Sequence, residues 1–571
     1  MFSTLVAPTP WPEKLGSRSA LGPCPGTATA MAVAELATQQ KLLVVVVPSS
    51  ASAAVLEREL PLFSAAALNI LTLPDWETLP YDNFSPHQDI VSERLSTFHL
   101  LQDIAEGVLI VPITTLMQRT PPVHYVAGSS LVLDVGQALD SKTLVHNLTL
   151  NGYRAVDTVY EHGEYAVRGS LLDIFPMGSQ VPYRIDLFDA EIESLRTFDP
   201  ETQRTITKVD SIRLLPAREF PLTEEGIRRF KLNWYRKFDG DPEACPLFNE
   251  ICAGRVPGGA EYFLPLFFDS CGTVFDYLPD HAAFITIGDH YQAASQFWSE
   301  ITSRHSEYGV DVRRPLLPPS EVFIPTESLY EDLGRHAVLE LRTEHDAPVH
   351  QKTGLLSPPD LHELSQGATA LERLATFIEA HDGPVLLCAE SPGRREVLLE
   401  GLNELGLHPA PASEWPDFIA RAIPLGITVA PVDRGFYQGP GKPTLIAENQ
   451  IFGARVAQRR RRQSVEETNA DAIVRDLTEL RPGVPVVHLQ HGVGRYMGLQ
   501  SLEIDGAPAE FLLLQYADAD KLYVPVGSLH LIARYTGADP DTAPLHRLGS
   551  EQWEKARRRA REKANDVAAQ L

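Results

Sequence analysis

The sequence contains few cysteines, and their spacing does not suit a structural metal. The five cysteines, Cys24, Cys245, Cys252, Cys271 and Cys388, are scattered, and no two of them form a CxxC pair. Structural zinc sites usually need such pairs. A low and odd cysteine count is typical of proteins in a reducing compartment. We therefore expect a cytoplasmic protein without a metal site.

Long apolar runs and a positive charge balance are also missing. No stretch of about 18 apolar residues occurs, so we expect no membrane partner, and the N-terminus lacks the basic and apolar regions of a signal peptide. The 50 Lys and Arg residues against 75 Asp and Glu residues give a formal net charge of −25. Surfaces that coat nucleic acid are usually basic. The balance therefore favours protein partners over DNA.

A complete phosphate-binding loop is missing as well. Such a loop needs glycines that expose backbone N–H groups, a Lys, and a Ser or Thr for magnesium. Gly22–Thr29 precedes a helix pattern and an apolar strand pattern but contains no Lys, and Pro23 and Pro25 remove two N–H donors. Gly439–Thr444 contains Gly-Lys, but Pro443 stands where the hydroxyl is required. We therefore expect no catalytic residues and no cofactor in this chain.

The patterns that are present predict an α/β multidomain protein. A chain of 571 residues is too long for one core and predicts about four to six domains. Leu42–Pro48 is a continuous Val-rich run, typical of a buried parallel strand. A helix pattern at Ala51–Phe63 and strand patterns at Leu68–Leu73 and Gly107–Pro112 follow. Strands separated by helices indicate a parallel sheet.

Later segments alternate between patterns rich in strands and patterns that mix helices with strands. Short alternating segments predict an inserted β-rich domain, and they are Ser129–Val135, Ala166–Ile174 and Tyr183–Phe188. Further strands are predicted at Tyr262–Phe268, Ala283–Gly288 and Ala337–Leu341. A second, smaller α/β pattern includes Pro384–Cys388, the helix Arg394–Leu405, Gly426–Ala430 and Thr444–Glu448. Phe511–Tyr516 and Lys521–Val526 predict a hairpin, and Ser550 can cap a last helix that runs to Leu571.

Three blocks of sequence resemble one known family. The first block consists of Trp76–Asp82, Ser85–Asp89 and Ser92–Leu95; the second of His162–Gly169, Asp173–Pro176 and Tyr183–Asp189; the third of His491–Tyr496, Lys521–Val526 and Ser528–Leu531. They follow the order of the family and span nearly the whole chain. The sequence closely resembles the N-terminal portion of the bacterial transcription-repair coupling factors (Mfd). The excision-repair protein UvrB carries a related sequence that matches the first block less closely.

The resemblance implies an architecture. Residues 1–122 and 214–345 would form a UvrB-like module with a degenerate ATPase-type sheet, and 123–213 a UvrA-binding insert. Residues 346–454 would form a variable α/β domain, 455–478 a linker, 479–547 a small CarD-like β-barrel that interacts with RNA polymerase, and 548–571 a connector helix. The run Arg459–Arg462 in the linker could be solvated or could contact DNA phosphates.

The resemblance also implies a function in transcription-coupled nucleotide excision repair. The chain would be a monomeric docking platform that binds the β subunit of stalled RNA polymerase and recruits UvrA. The ATP- and magnesium-dependent DNA translocase motor, which makes most DNA contacts, would lie beyond Leu571. In the family, the C-terminal end covers the UvrA-binding face, so we expect this chain to bind UvrA without ATP or DNA. The alternatives are an active helicase-like ATPase and a stand-alone CarD-like regulator of RNA polymerase.

Two groups of residues match functional positions of the family. Arg168, Arg184 and Phe188 match the UvrA contacts, and strand periodicity places Arg184 and Phe188 on one face. Read without the resemblance, Arg184 could instead pair with Asp186 or Asp189, and Phe188 could be core. UvrB carries an Arg where this chain has Ala166, which predicts a lower affinity for UvrA.

The second group is the predicted edge strand of the polymerase-binding domain. Its residues are Gln500, Ser501, Leu502, Glu503 and Ile504. Strand addition to a sheet of the polymerase would take affinity from backbone hydrogen bonds and specificity from alternate side chains. Leu502, an apolar residue between Ser501 and Glu503, is the predicted anchor.

Overall fold

The computed structural model shows two units, which divide between Arg455 and Val456. It describes residues 11–12, 16–64, 68–188, 191–311, 313–343, 348–361, 369–453, 483, 485–488, 491–504, 507–517, 520–525, 532–534 and 547. The predicted linker and connector helix lie outside these residues. No helix in the described part of the chain combines the length and the apolar character that a bilayer crossing requires.

The first segment alternates strands and helices, as predicted. Its elements are β1 (Arg18–Gly22), α1 (Ala28–Ala37), β2 (Leu42–Val47), α2 (Ser50–Glu59), β3 (Ile70–Thr72), α3 (Gln88–Leu100), β4 (Gly107–Pro112), α4 (Ile113–Leu116) and α5 (Val123–Gly128), with a 3-10 turn at Leu60–Phe63. The Val-rich β2 is buried along its whole length, because parallel strands of such a sheet are covered on both faces.

A β-rich segment follows. Its elements are β5 (Leu131–Asp134), α6 (Ser141–Leu150), β6 (Arg154–Ala155), β7 (Glu164–Arg168), β8 (Leu171–Ile174), β9 (Tyr183–Phe188), β10 (Glu191–Phe198), β11 (Thr205–Val209) and β12 (Ser211–Leu214). Six strands form one sheet in the order β11-β10-β9-β8-β7-β6, and β12 pairs with β5. The alternating segment Ala166–Ile174 lies within a hairpin of β7 and β8.

The chain then returns to the first sheet. The elements are α7 (Glu224–Lys237), α8 (Pro246–Cys252), β13 (Ala283–Ile287), α9 (His290–Tyr308), α10 (Pro319–Val322), α11 (Thr326–Leu333), β14 (Val338–Leu341) and β15 (Gln351–Lys352). The complete sheet has the order β15-β1-β14-β13-β2-β4-β3, and all its pairings are parallel. The strand predicted at Tyr262–Phe268 is wrong, since Ala260–Phe267 is a 3-10 helix.

A second α/β sheet packs on the first within the same unit. Its elements are α12 (Ala370–Ala380), β16 (Val385–Ala389), α13 (Pro392–Glu404), β17 (Ala410–Pro411), α14 (Trp415–Ala420), β18 (Leu425–Val429), β19 (Phe436–Tyr437), β20 (Thr444–Ala447) and α15 (Glu448–Phe452), and its order is β17-β18-β16-β20-β19. Phe63 joins the two sheets, because its ring lies 6.0 Å from Trp415 and 6.3 Å from Phe436.

The second unit is an antiparallel sheet. Its strands are β21 (Pro485–His488), β22 (Gly492–Ile504), β23 (Ala507–Gln515), β24 (Lys521–Pro525) and β25 (Ile532–Arg534), in the order β24-β23-β22-β21-β25. The predicted hairpin is confirmed by the pairing of β23 with β24. Val486, Leu512, Leu514 and Tyr516 form its buried core. Closure of this sheet into a barrel stays a prediction.

Candidate functional site

The loop between β1 and α1 stands where a phosphate loop stands in a nucleotide-binding α/β sheet. In this chain, two amide groups of the loop donate hydrogen bonds to backbone carbonyls of the protein itself. The amide of Cys24 donates to the carbonyl of Arg342 at 2.8 Å, and the amide of Thr27 donates to the carbonyl of Arg434 at 2.8 Å. These two donors, which a phosphate would need, are therefore already used.

The second α/β sheet also fills the space above this loop. Gly26 has a φ of +53°, and a Cβ atom at this position would lie 2.5 Å from the carbonyl oxygen of Arg434 and 2.7 Å from that of Gly435. Glu59 supports the same segment, because its carboxylate accepts a hydrogen bond from the amide of Asp433 at 3.0 Å. The loop is therefore in direct contact with the segment Asp433–Gly435 of the second α/β sheet.

The six-stranded sheet of the insert has two different faces. Its inner face packs on α6, because Leu172 and Ile185 share a buried cluster with Leu144 and Leu148. Side chains alternate between the faces of a strand, and directly paired residues of neighbouring antiparallel strands lie on the same face. The opposite surface of β7–β10 is named the outer face below.

All three predicted UvrA-contact residues lie on the outer face. Arg168 pairs with Leu171, which in turn pairs with Asp186 of β9. Arg184 and Phe188 flank Asp186 at two residues on either side, so strand periodicity places them on the same face. Arg184 and Phe188 therefore share one face of β9, and their contact with UvrA stays a prediction.

Arg184 is held by an acid that the sequence reasoning missed. Its Nε and Nη2 donate to the two carboxylate oxygens of Asp173 at 2.7 and 2.9 Å, and its guanidinium lies 5.0 Å from the ring centre of the buried Phe198. The hydrogen bonds to Asp173 raise the pKa of Arg184 above its ordinary value. Asp186 instead lies 4.0 Å from Arg196, and Asp189 lies outside the described residues.

Arg168 and Phe188 are more exposed. Arg168 donates to the carbonyl of Asp157 at 2.6 Å and to the hydroxyl of Thr158 at 3.1 Å. Phe188 exposes 68% of its surface, so the alternative in which it is a core residue is wrong. Ala166, in contrast, is buried in a small apolar cluster with Phe175. The outer face thus carries one large exposed ring and two anchored cations.

The first two sequence blocks meet where the insert joins α3. The ring of His162 bonds to the carboxylate of Asp89 at 2.8 Å and to the carbonyl of Ser179 at 2.7 Å. The amide of Gly178 donates to the hydroxyl of Ser92 at 2.8 Å. These contacts assign a structural role to both blocks, since they fix the insert, and with it the outer face, to the parallel-sheet module.

The five residues predicted for polymerase binding all lie in β22. β23 pairs with β22 from Arg495 to Ile504, whereas β21 pairs with it only from Gly492 to Arg495. The amide of Gly483 donates to the carbonyl of Tyr496 at 2.7 Å, but among the described residues no strand pairs with the β21 side of residues 497–504. Within this described part, Gln500–Ile504 lie on an unpaired edge, named the free edge of β22 below. Their role in polymerase binding stays a prediction.

Family models match three separate parts of the chain. Residues 131–220 match the "UvrB interaction domain", residues 377–451 the "MFD, D3 domain", and residues 480–536 the "CarD-like/TRCF RID domain". The first match contains the outer face, and the third contains the free edge of β22.

Whole-chain comparison gives the same family throughout. The chain is 43% identical over 564 residues to the transcription-repair-coupling factor of Escherichia coli strain K12, which covers 98% of this chain and 49% of that protein. It is 42% identical over 551 residues to that of Haemophilus influenzae, covering 95% and 48%, and 33% identical over 537 residues to that of Myxococcus xanthus, covering 89% and 44%. The chain spans about half the length of the curated relatives that it matches. With three matching domains in order and such identity along nearly its whole length, the chain belongs to the transcription-repair-coupling factor family.

Proposed function

We propose that this chain is a docking platform of transcription-coupled nucleotide excision repair. It recruits UvrA through the outer face of its insert and binds the β subunit of RNA polymerase through the free edge of β22. The observation that carries the proposal is the exposed ring of Phe188 on the same sheet face as Arg168 and Arg184, in a segment that matches the UvrB interaction domain. Exposed aromatic and Arg residues dominate the binding energy of many protein interfaces.

The platform itself turns over no nucleotide and needs neither ATP nor magnesium. The loop between β1 and α1 supports this point. It lacks a Lys, and the amides of Cys24 and Thr27 donate hydrogen bonds within the protein. We assign ATP-driven translocation on DNA to the part of the relatives that this chain does not span. We further propose that the platform acts as a cytoplasmic monomer. An ATPase assay of the purified chain, with and without DNA, checks the first point, and magnesium-dependent turnover would contradict it.

Titration with UvrA tests the first docking surface. The purified chain is immobilised and exposed to UvrA without ATP and without DNA. We expect binding by the parent and a loss of about tenfold or more in Phe188→Ala, since a hot-spot residue contributes about 2 kcal/mol or more. Tyr235→Ala is the matched control, because Tyr235 is a similarly exposed aromatic residue on α7, outside the insert. Failure of the parent to bind UvrA, or parental affinity in Phe188→Ala, would contradict the proposal.

Strand addition to RNA polymerase tests the second docking surface. The free edge offers backbone N–H and C=O groups in the geometry that an added strand needs. We expect Leu502→Arg to lose pull-down of RNA polymerase and of its isolated β subunit while the sheet stays folded by circular dichroism. Ile206→Arg, the same chemical change at an exposed apolar residue of β11, is the control and should bind normally. A Leu502→Arg variant that retains the polymerase would show that Leu502 is not the anchor.

A further inference from the structure

We propose that Asp173 is a positioning residue of the outer face and that it gives the two arginines different tasks. This inference rests on the proposed docking of UvrA. Asp173 holds Arg184 as an oriented and charge-compensated contact. Arg168 is held by neutral acceptors instead, and it therefore faces an acidic side chain of the partner.

The contacts of Arg184 leave its side chain little freedom. Two parallel hydrogen bonds join its Nε and Nη2 to the carboxylate of Asp173, and this bidentate geometry fixes the plane of the guanidinium. The ring of Phe198 lies under that plane at 5.0 Å. Arg184 exposes 18% of its side chain, whereas Asp173 exposes 4%. The remaining N–H groups of Arg184 are thus presented in one orientation before any partner arrives.

Arg168 is anchored differently. Its described partners are a backbone carbonyl and a hydroxyl, both neutral. A neutral acceptor fixes a guanidinium without compensating its charge, whereas a carboxylate does both. The two cations of the outer face therefore differ in net local charge, although their residue type is the same.

This difference sets the chemistry of the partner surface. A partner carboxylate that approaches Arg184 also meets the nearby negative charge of Asp173, which opposes its approach. A neutral acceptor, such as a backbone carbonyl, does not meet this repulsion. The matching surface of UvrA therefore places a carboxylate opposite Arg168 and a neutral acceptor opposite Arg184.

Asp173→Asn separates positioning from simple electrostatics by the sign of its effect. The substitution removes a negative charge from the outer face, so attraction by charge alone would tighten binding to an acidic surface. If Asp173 acts by orienting Arg184, binding weakens instead. We expect a loss of about two- to tenfold, which corresponds to the entropy of ordering one long side chain on binding. Asp173→Glu, which keeps a carboxylate, should recover part of the affinity.

A double-substitution cycle shows whether the effect passes through Arg184. Arg184→Gln removes the group that Asp173 positions, so Asp173→Asn should have little further effect in that background. Damage to the fold of the insert would instead weaken binding equally in both backgrounds. Glu321→Gln, which removes the acid of the remote Lys237–Glu321 pair, controls for loss of an ion pair in general.

The ionic-strength dependence of binding provides a second readout. Affinity for UvrA is measured from low to high salt for the parent, for Arg168→Gln and for the double variant Asp173→Asn, Arg184→Gln. We expect Arg168→Gln to flatten the salt dependence, because it removes one positive charge from the outer face. The double variant removes one charge of each sign, so it should lower affinity and keep the parental slope.

The measurements separate a failure of the positioning role of Asp173 from a failure of the proposed docking of UvrA. A parent chain that does not bind UvrA contradicts the docking proposal itself. A parent that binds, together with Asp173→Asn that binds equally well or more tightly, overturns the positioning role alone. The same holds if Asp173→Asn weakens binding equally with and without Arg184, or if the double variant Asp173→Asn, Arg184→Gln flattens the salt dependence as much as Arg168→Gln.

Discussion

Arg94 and Glu219 form a buried ion pair that joins α3 to the segment after the insert. The Nε of Arg94 lies 2.5 Å from a carboxylate oxygen of Glu219, and the two side chains expose 0% and 2% of their surfaces. Arg94 also donates to the carbonyl of Pro74 at 2.8 Å, and the indole of Trp76 donates to Glu219 at 3.5 Å. The pair thus ties parts of the first sequence block to the chain that leaves the insert.

Removal of one partner of this pair should destabilise the first unit strongly. We expect Arg94→Met to lower the free energy of unfolding by about 3–5 kcal/mol, because Glu219 would be left as an uncompensated buried charge. The double variant Arg94→Met, Glu219→Gln should recover part of the loss, since no charge then remains buried. Thermal and urea unfolding measure both changes. Arg228→Met, at an exposed ion pair with Glu225, should behave as the parent, and equal stability of all variants would refute the expectation.

Gly26 should be needed for the packing of the second α/β sheet on the first. In Gly26→Ala, the added methyl group would collide with the carbonyls of Arg434 and Gly435 at a residue with positive φ. We expect a loss of about 1–3 kcal/mol in stability, with faster hydrogen exchange in the segment around Arg434. Gly393→Ala in α13 is the control, because a Cβ atom there meets no other atom within 4 Å. Hydrogen exchange at the parental rate in Gly26→Ala would show that the close contact of Gly26 with Arg434 and Gly435 does not stabilise the packing.

Strands with a strong local signal could be predicted from the sequence. β2, β4 and β16 are continuous apolar runs buried along their length, and such runs have few alternatives in an α/β context. The β23–β24 hairpin was predicted from the turn-like tetrapeptide between two apolar runs. The positions of Arg168, Arg184 and Phe188 on one face follow from strand periodicity together with the register of the hairpins.

Features that depend on tertiary contacts could not be predicted. Tyr262–Phe268 is as apolar as a strand but forms a 3-10 helix, because its rings pack against those of α7, as Phe263 does on Trp234 at 5.7 Å. Periodicity does not separate the two structures in a short, wholly apolar run. Likewise, Asp173 is eleven residues from Arg184, and only the antiparallel register of β8 and β9 brings the pair together.

Cys252 should be the most reactive of the five thiols. Cys24, Cys245 and Cys388 are buried, whereas Cys252 and Cys271 are partly exposed. Burial raises the pKa of Cys271 to about 12, and it raises that of Cys252 as well, although nearby Lys231 opposes the shift. Because the thiolate is the reactive form, we expect slow labelling by an aromatic disulfide reagent at neutral pH, with Cys252 first.

Single substitutions identify the thiol that reacts first. Cys252→Ser should remove the fastest phase of labelling, and Cys271→Ser should leave it in place. The rate should rise with pH in the parent, since a larger fraction of each thiol is then ionised. If Cys271→Ser or Cys388→Ser abolishes the fast phase instead, the order of accessibility is wrong.

The antiparallel sheet of the second unit should lose stability in mild acid through His488. This residue is buried on β21, and burial, together with the neighbouring His491, lowers its pKa to about 4. An unfolded chain restores a histidine pKa of about 6.5, so between these values the unfolded state binds more protons than the folded state. Stability from neutral His488 is therefore complete above about pH 6.5 and is lost as the pH falls towards 4. Hydrogen exchange of β21–β23 at several pH values measures the effect. His488→Gln should flatten this dependence, His281→Gln in the first unit should not, and an unchanged profile in His488→Gln would assign the effect to another group.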